Sequence, residues 1–122
     1  MKIMEFIEAV KKNPNQATAT CKKLIKTRYL PVLEKRQLAE LVYANSNENE
    51  NGVVKVDSLS KYLIFTMLML TRYTELEFSV DENGAATSEA IAEYDALCEN
   101  GLLNPIIAEF QEDYARANEI VN

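Results

Sequence analysis

Tyr62-Leu-Ile-Phe-Thr-Met-Leu-Met-Leu70 decides the fold. Eight of its nine residues are apolar, the exception is Thr66, and Lys61 and Arg72 fence it. A helix that is apolar all round is buried on all sides. A threonine is tolerated there because its hydroxyl bonds back to a carbonyl of its own helix. The run is far too short for the ~18–20 apolar residues that cross a bilayer. The stretch therefore predicts a buried central helix over about 58–73, with Leu68 inside it and the rest of the chain packed around it.

The totals support one helical domain spanning 1–122. A chain of 122 residues buries enough surface to fold without a metal or disulfide staple. Its 3 glycines and 3 prolines are too few for an all-β fold rich in tight turns. Cys21 and Cys98 are far apart, and no histidine is present to complete a zinc site with them. Both read as buried small hydrophobes. Glu5 and Glu8 interrupt what would be the apolar region of an export signal, so a reducing cytoplasm is the expected location, with no membrane involved.

Charge is unevenly spread. Residues 1–44 hold nine Lys/Arg against four Glu, a local +5, and residues 45–122 hold four Lys/Arg against fifteen Asp/Glu, a local −11, which together make the net −6. A basic end and an acidic end can steer partners or stack copies of the chain on one another.

Outward from the central stretch, the periodicity predicts five or six helices. Ile3, Phe6, Ile7 and Val10 form one face of a helix over 2–12, stopped by Asn13-Pro14-Asn15. A second runs over about 15–27 with Ala17, Cys21, Leu24 and Ile25 inward. After the break at Tyr29-Leu30-Pro31, a third spans about 31–45, with Leu33, Leu38, Leu41 and Val42 inward and Lys35 and Arg36 outward. Residues 45–52 read as a polar loop. Its Asn47, Asn49, Asn51, Gly52 spacing copies the frame of an EF-hand, but neutral Asn and Ser58 stand where calcium needs carboxylates. Asp57 reads as the cap of the central helix. Val53–Val56 and the alternating segment 76–80 are strand-prone and are expected to pair as a small two-stranded β element. Asp81–Gly84 reads as a turn. Thr87 is expected to cap a helix over 88–99, with Ile91, Tyr94, Leu97 and Cys98 inward and Gly101 ending it. A last helix over about 104–120 starts at Asn104-Pro105 and carries the stripe Ile106, Ile107, Phe110, Tyr114, Ala117 and Val121.

No catalytic constellation is visible. Without histidine the usual general base and the common nucleophile pairs are missing. The isolated glycines build no phosphate loop. No catalytic, cofactor-binding or metal-binding residue is expected. Two charged surfaces remain as candidate protein interfaces. The basic one comprises Lys22, Lys23, Lys26, Arg28, Lys35 and Arg36 beside Tyr29, an aromatic suited to anchoring an interface. The acidic one comprises Glu89, Glu93, Glu109, Glu112 and Asp113, read as alternating with the apolar stripe and facing outward. A nucleic acid would use the basic patch to neutralise phosphates, but the chain as a whole is acidic, with a pI near 4.7.

Three blocks, Thr27-Arg-Tyr-Leu-Pro-Val-Leu-Glu-Lys35, Tyr62–Thr74 and Glu93-Tyr-Asp-Ala-Leu-Cys-Glu-Asn-Gly-Leu102, resemble small acidic helical proteins encoded in phages and prophages of Gram-positive bacteria, often near genes for virion assembly. The resemblance implies a phage protein that works by binding, as a virion or assembly component or an accessory factor. Together with the split charge and the missing catalytic groups it favours a non-enzymatic protein that binds other subunits in head, neck or tail morphogenesis, in the host cytoplasm or the virion, with a homo-oligomer as one form. Two other readings stand beside it. One is an acidic inhibitor of a host nucleic-acid-binding defence protein, its carboxylates between Glu75 and Asp113 standing in for phosphates. The other is a regulator that contacts DNA through residues 22–36.

Overall fold

The computed structural model of the chain describes residues 1–50, 53–56, 58–79 and 87–122, and the side chains of all these except 46–50, 53–56 and 58. Among the described residues the chain is mainly helical. The elements in order are α1 (Ile3–Lys12), a 3-10 turn (Pro14–Gln16), α2 (Ala17–Leu24), α3 (Val32–Ser46), β1 (Asn47–Glu50), β2 (Val53–Val56), α4 (Ser58–Tyr73), α5 (Ser88–Glu99), α6 (Leu103–Ala108) and α7 (Gln111–Val121). No helix among the described residues is long and apolar enough to cross a membrane.

The central stretch lies in α4, which packs along α3, while α3 also meets α7, α1 meets α5 and α2 meets α6. Ile64, Phe65, Thr66, Met67, Met69 and Leu70 of α4 are buried, and Thr66 Oγ1 donates to the Tyr62 carbonyl at 2.9 Å. The helix stays open on more than one side: Leu59 and Tyr62 are exposed and Leu63 is partly buried beside them, while Leu68, on another side, is only partly buried too. Leu68 stands seven residues after Lys61 and four before Arg72, which helical spacing puts on its side, so the expected full burial of Leu68 is corrected here.

Local signals place the ends of several helices. Ile3, Phe6, Ile7 and Val10 are all buried, as their spacing predicts. Thr87 accepts a hydrogen bond from the Ala90 N–H and caps α5. Gly101 ends α5 with φ +67. The Leu102 N–H reaches the Leu97 carbonyl at 2.9 Å and the Gly101 N–H reaches that of Cys98 at 3.0 Å, a Schellman closure that needs the left-handed glycine. The single helix expected over 104–120 is two. The amides of Glu109 and Phe110 bond three residues back, to Ile106 and Ile107, which tightens the end of α6, and Phe110 at φ −133 and ψ 36 starts α7 on a new axis.

Among the described residues the expected pairing of 53–56 with 76–80 is not formed. Residues 53–56 pair antiparallel with 47–50 instead, so β1 occupies what reads as loop. Pairing with the neighbouring segment closes a far shorter loop than pairing across α4, and this outweighs the poor strand propensity of Asn and Glu. The backbone before and within 76–79 is held elsewhere: Glu75 N–H donates to the Leu24 carbonyl and Glu77 N–H to that of Met1, both at 2.9 Å. Leu76 and Phe78 are nevertheless buried, so the alternation reports burial rather than ladder pairing. Asn51 and Gly52 of the EF-hand-like frame, the capping role of Asp57, Val80 and the turn at 81–84 lie outside the described residues.

Other inward assignments are corrected too. Leu33, Leu41 and Ile91 are exposed, and so is Cys98. The buried face of α3 is Lys35, Leu38, Ala39 and Val42, an i, i+3, i+4, i+7 set with a lysine in it. Leu70→Ala, which empties a site with 0% exposure, is expected to cost about 2–5 kcal/mol. Leu68→Ala is expected to cost clearly less; urea denaturation of the two variants compares them, and an equal loss contradicts this account of α4.

Candidate functional site

Pro31 sets the site up. The residue before a proline is pushed out of helical dihedrals, so the N–H and C=O of Leu30 point into the interior with no helix to pair them. Two side chains take them. Asp113 Oδ2 accepts the Leu30 N–H at 2.8 Å, and Lys35 Nζ donates to the Leu30 carbonyl at 2.8 Å. Lys35 and Asp113 also pair with each other at 3.0 Å, and both are buried.

The network closes around Asp113. Its Oδ2 also accepts from the Tyr73 hydroxyl at 2.6 Å, and its Oδ1 accepts from Arg116 at 3.2 Å as well as from Lys35. Four donors meet a carboxylate with about four lone-pair positions, which leaves no acceptor capacity spare. Asp113 stands in the first turn of α7, where the helix dipole favours negative charge. Tyr73, at the end of α4, is held by its ring stacked on Phe110 at 4.7 Å and 17°. Lys35 Nζ lies 4.3 Å from the centre of the Tyr29 ring, a cation–π contact. Burial pushes the Asp113 carboxyl up, but the hydrogen bonds from Tyr73 and Leu30 and the bond and charge of Lys35 outweigh it and hold it below its ordinary value. Burial and the adjacent carboxylate push the Tyr73 hydroxyl up.

The segment on top of this network is exposed and apolar. Tyr29, Val32 and Leu33 are 60%, 63% and 66% exposed. Thr27 ties the near end, its hydroxyl donating to the Tyr29 carbonyl at 2.8 Å and accepting from the Tyr29 N–H at 3.3 Å. The far end enters α3, where the amides of Glu34 and Lys35 both reach the Pro31 carbonyl.

The residues expected to form two interfaces divide differently. Lys22, Lys23 and Lys26 are exposed and, among the described residues, engage in no ion pair. Arg28 pairs with Glu109 at 3.1 Å, and Arg36 pairs with Glu40 at 3.3 Å on its own helix. Lys35 is buried, which corrects its outward assignment. Asp113 and Glu93 are buried as well, not part of an acidic face. Glu93 accepts from the Ser79 N–H at 2.8 Å and from its hydroxyl at 3.0 Å, pinning the segment after α4 to α5. Glu89 is exposed, and so is Glu112, 3.8 Å from Arg116. The basic and acidic regions thus meet within one chain, through Lys35–Asp113 and Arg28–Glu109.

Sequence spacing carried a signal for these buried charges. Asp113 stands three after Phe110 and four before Ala117, and Glu93 three after Ala90 and four before Leu97; all four neighbours are buried. Each acid completes an apolar face. Tyr73, Val32 and Leu33 belong to the site through the fold alone, with no charge or spacing in the sequence that marks them for it.

Two hollows open on the surface. One of about 250 Å³ lies beside the Arg28–Glu109 pair and is lined by residues 108–113. The other, of about 380 Å³, opens between α4 and α7 and includes Lys61, Tyr62, Phe65, Tyr114 and Asn118. At its rim the Tyr62 and Tyr94 hydroxyls bond each other, and Lys61 Nζ donates to the Asn122 side chain at 2.8 Å. Among the described residues no three His, Cys, Asp or Glu side chains converge to hold a metal ion. Burial raises the Cys21 thiol, and the Glu109 carboxylate raises it further, which disfavours the reactive thiolate.

Comparison with protein-family models, with curated proteins and with solved structures finds no match to the chain.

Asp113→Ala strands a buried ammonium and the Leu30 amide, and is expected to cost about 3–5 kcal/mol in urea denaturation. Tyr73→Phe removes one bond to a charged acceptor, at about 1.5–3 kcal/mol. The two shifted groups also bound the pH range. The Asp113 contribution is complete above its unfolded value of about 4 and is lost as pH falls through the lower folded value; that of Tyr73 is complete below about 10 and is lost as pH rises above it. A melting temperature followed against pH should fall at both ends. In Asp113→Asn the acid-side fall should shrink, and an unchanged acid limb contradicts the role of Asp113.

Proposed function

We propose that the chain is a non-enzymatic protein-binding module, a phage-encoded component of virion structure or assembly acting in head, neck or tail morphogenesis. The observation that carries the binding reading is the Tyr29–Leu33 segment, three large side chains left on the surface of a backbone that a buried charge network holds in place. A preordered apolar surface loses little entropy when a partner covers it. The chain spends its converging polar groups on one another. Asp113 is filled by Lys35, Tyr73, Leu30 and Arg116, and Glu93 accepts twice from Ser79, so both buried carboxylates are engaged within the chain. The phage origin and the morphogenetic role rest on the resemblance of the three sequence blocks.

The inhibitor reading has less support. A mimic of nucleic acid needs its carboxylates on one continuous exposed surface. Glu93 and Asp113 are buried, and Glu109 is partly covered and paired with Arg28.

Gradient sedimentation of extracts from cells producing the phage separates the two. The chain is expected to travel with particles or with partly assembled heads, necks or tails. Sedimentation only with small host proteins contradicts the assembly reading and favours the inhibitor.

A further inference from the structure

The larger hollow, between α4 and α7, has a lining of two kinds. Its apolar part holds the buried side chains of Phe65 and Val121 and the rings of Tyr62 and Tyr114. Both tyrosines are held in place. The Tyr62 ring meets that of Tyr94 edge-on with centres 6.1 Å apart, and the Tyr114 ring centre lies 5.3 Å from that of Phe65. Its polar part is Lys61, Asn118 and Asn122, and among the described residues no Asp or Glu lines it. At about 380 Å³ the hollow falls within the range of small-molecule sites, which are mostly apolar with a few placed polar groups.

The three polar side chains are joined in one direction. A lysine ammonium only donates, so Lys61 Nζ, 2.8 Å from Asn122, sets the Asn122 oxygen toward itself. The Asn122 amide nitrogen is left to donate, and it reaches Asn118 Oδ1 at 2.8 Å and the Asn118 carbonyl at 3.0 Å. Asn118 Oδ1 therefore accepts within the cluster and its Nδ2 remains as a donor. The ammonium lies 5.3 Å from the centre of the Tyr43 ring and, among the described residues, is in no ion pair. Both amide oxygens are engaged, while N–H donors are left over at each end of the chain of bonds.

We infer that this hollow binds a small aromatic molecule with a carboxylate or carboxamide on its ring. The ring lies among Tyr62, Phe65 and Tyr114, where aromatic contacts add to burial, and the acceptor oxygen meets Lys61 and Asn118 Nδ2. No amino-acid side chain carries such a carbonyl group on an aromatic ring, so the occupant is a free molecule and not a partner's residue. A nucleotide fits less well, because a phosphate carries more negative charge than one lysine balances. The site shares no residue with the Tyr29–Leu33 surface and does not rest on the protein-binding reading.

NMR titration of the isotope-labelled chain with four probes tests this: benzoate, benzamide, cyclohexanecarboxylate and indole. Benzoate and benzamide should shift the amides of Lys61, Tyr62, Tyr114 and Asn118 saturably, with a Kd of about 1 mM or tighter. Cyclohexanecarboxylate lacks the aromatic ring and indole lacks the acceptor oxygen, and each should bind roughly tenfold more weakly or worse. Lys61→Met, which keeps an apolar stem and removes the donors, should cost benzoate roughly tenfold. So should Asn118→Phe, whose ring competes for the hollow from an exposed position that the fold does not depend on. No saturable shift from benzoate or benzamide at about 10 mM, equal binding of the four probes, or equal binding by both variants overturns the site. Tighter binding of uridine 5′-phosphate than of benzoate overturns it in favour of a nucleotide. N-acetyltryptophan amide binding as tightly as benzamide overturns it in favour of a partner's side chain.

Discussion

A buried aspartate receives four hydrogen bonds, and three of the four donors come from residues 40 or more positions away in the chain. Leu30 belongs to the connection before α3, Lys35 to α3 itself, Tyr73 to the end of α4 and Arg116 to α7. Asp113 is the point where these segments are fixed relative to one another. Burying its charge and that of Lys35 costs several kcal/mol of lost hydration per ion, and an apolar pair of similar volume would avoid that cost. An apolar pair would leave the Leu30 N–H and C=O with no partner, and each buried unsatisfied group costs about 1–3 kcal/mol. The ion pair is thus tied to the proline: Pro31 stops the backbone from pairing with itself, and two side chains do so instead.

The rest of the architecture is built around this point by ordinary apolar burial. Phe110 stacks on Tyr73 where α6 gives way to α7, so the break between those helices and the placing of Asp113 are one local event. Glu93 does a similar task in the segment that follows α4, where it holds Ser79. In both places a charged side chain from a late helix secures a non-helical stretch that follows an earlier element. What remains outside is a short apolar segment that the interior keeps ordered but does not cover.

Most of the helices could be read directly from the chain, and the reasons are specific. Ile3, Phe6, Ile7 and Val10 repeat at helical spacing with no competing residue, and Thr87 and Gly101 are end signals whose chemistry is local. Failures came where only apolar residues were counted as inward. On α3 the run Leu33, Leu38, Leu41, Val42 looks like a face, yet the buried set is Lys35, Leu38, Ala39 and Val42, which keeps strict helical spacing only when a lysine is admitted. Glu93 and Asp113 complete the faces of α5 and α7 in the same way. The alternation at 76–79 reads as a strand signal, yet what it reports is the burial of Leu76 and Phe78, because a strand's partner is set by long-range geometry that alternation does not encode. The charge asymmetry was legible as a sum. That its two halves meet within one molecule follows only once α3 and α7 are packed together.

The central claim is that the Lys35–Asp113 pair keeps the exposed segment 29–33 ordered. Backbone ¹⁵N relaxation of those residues in Lys35→Met/Asp113→Leu, an apolar replacement that removes both charges together and leaves neither stranded, tests it most directly. The account predicts a folded protein in which α1, α4 and α5 keep the order of the unchanged chain while the amides of Tyr29, Leu30, Val32 and Leu33 become mobile. A double variant in which that segment stays as ordered as before would contradict it.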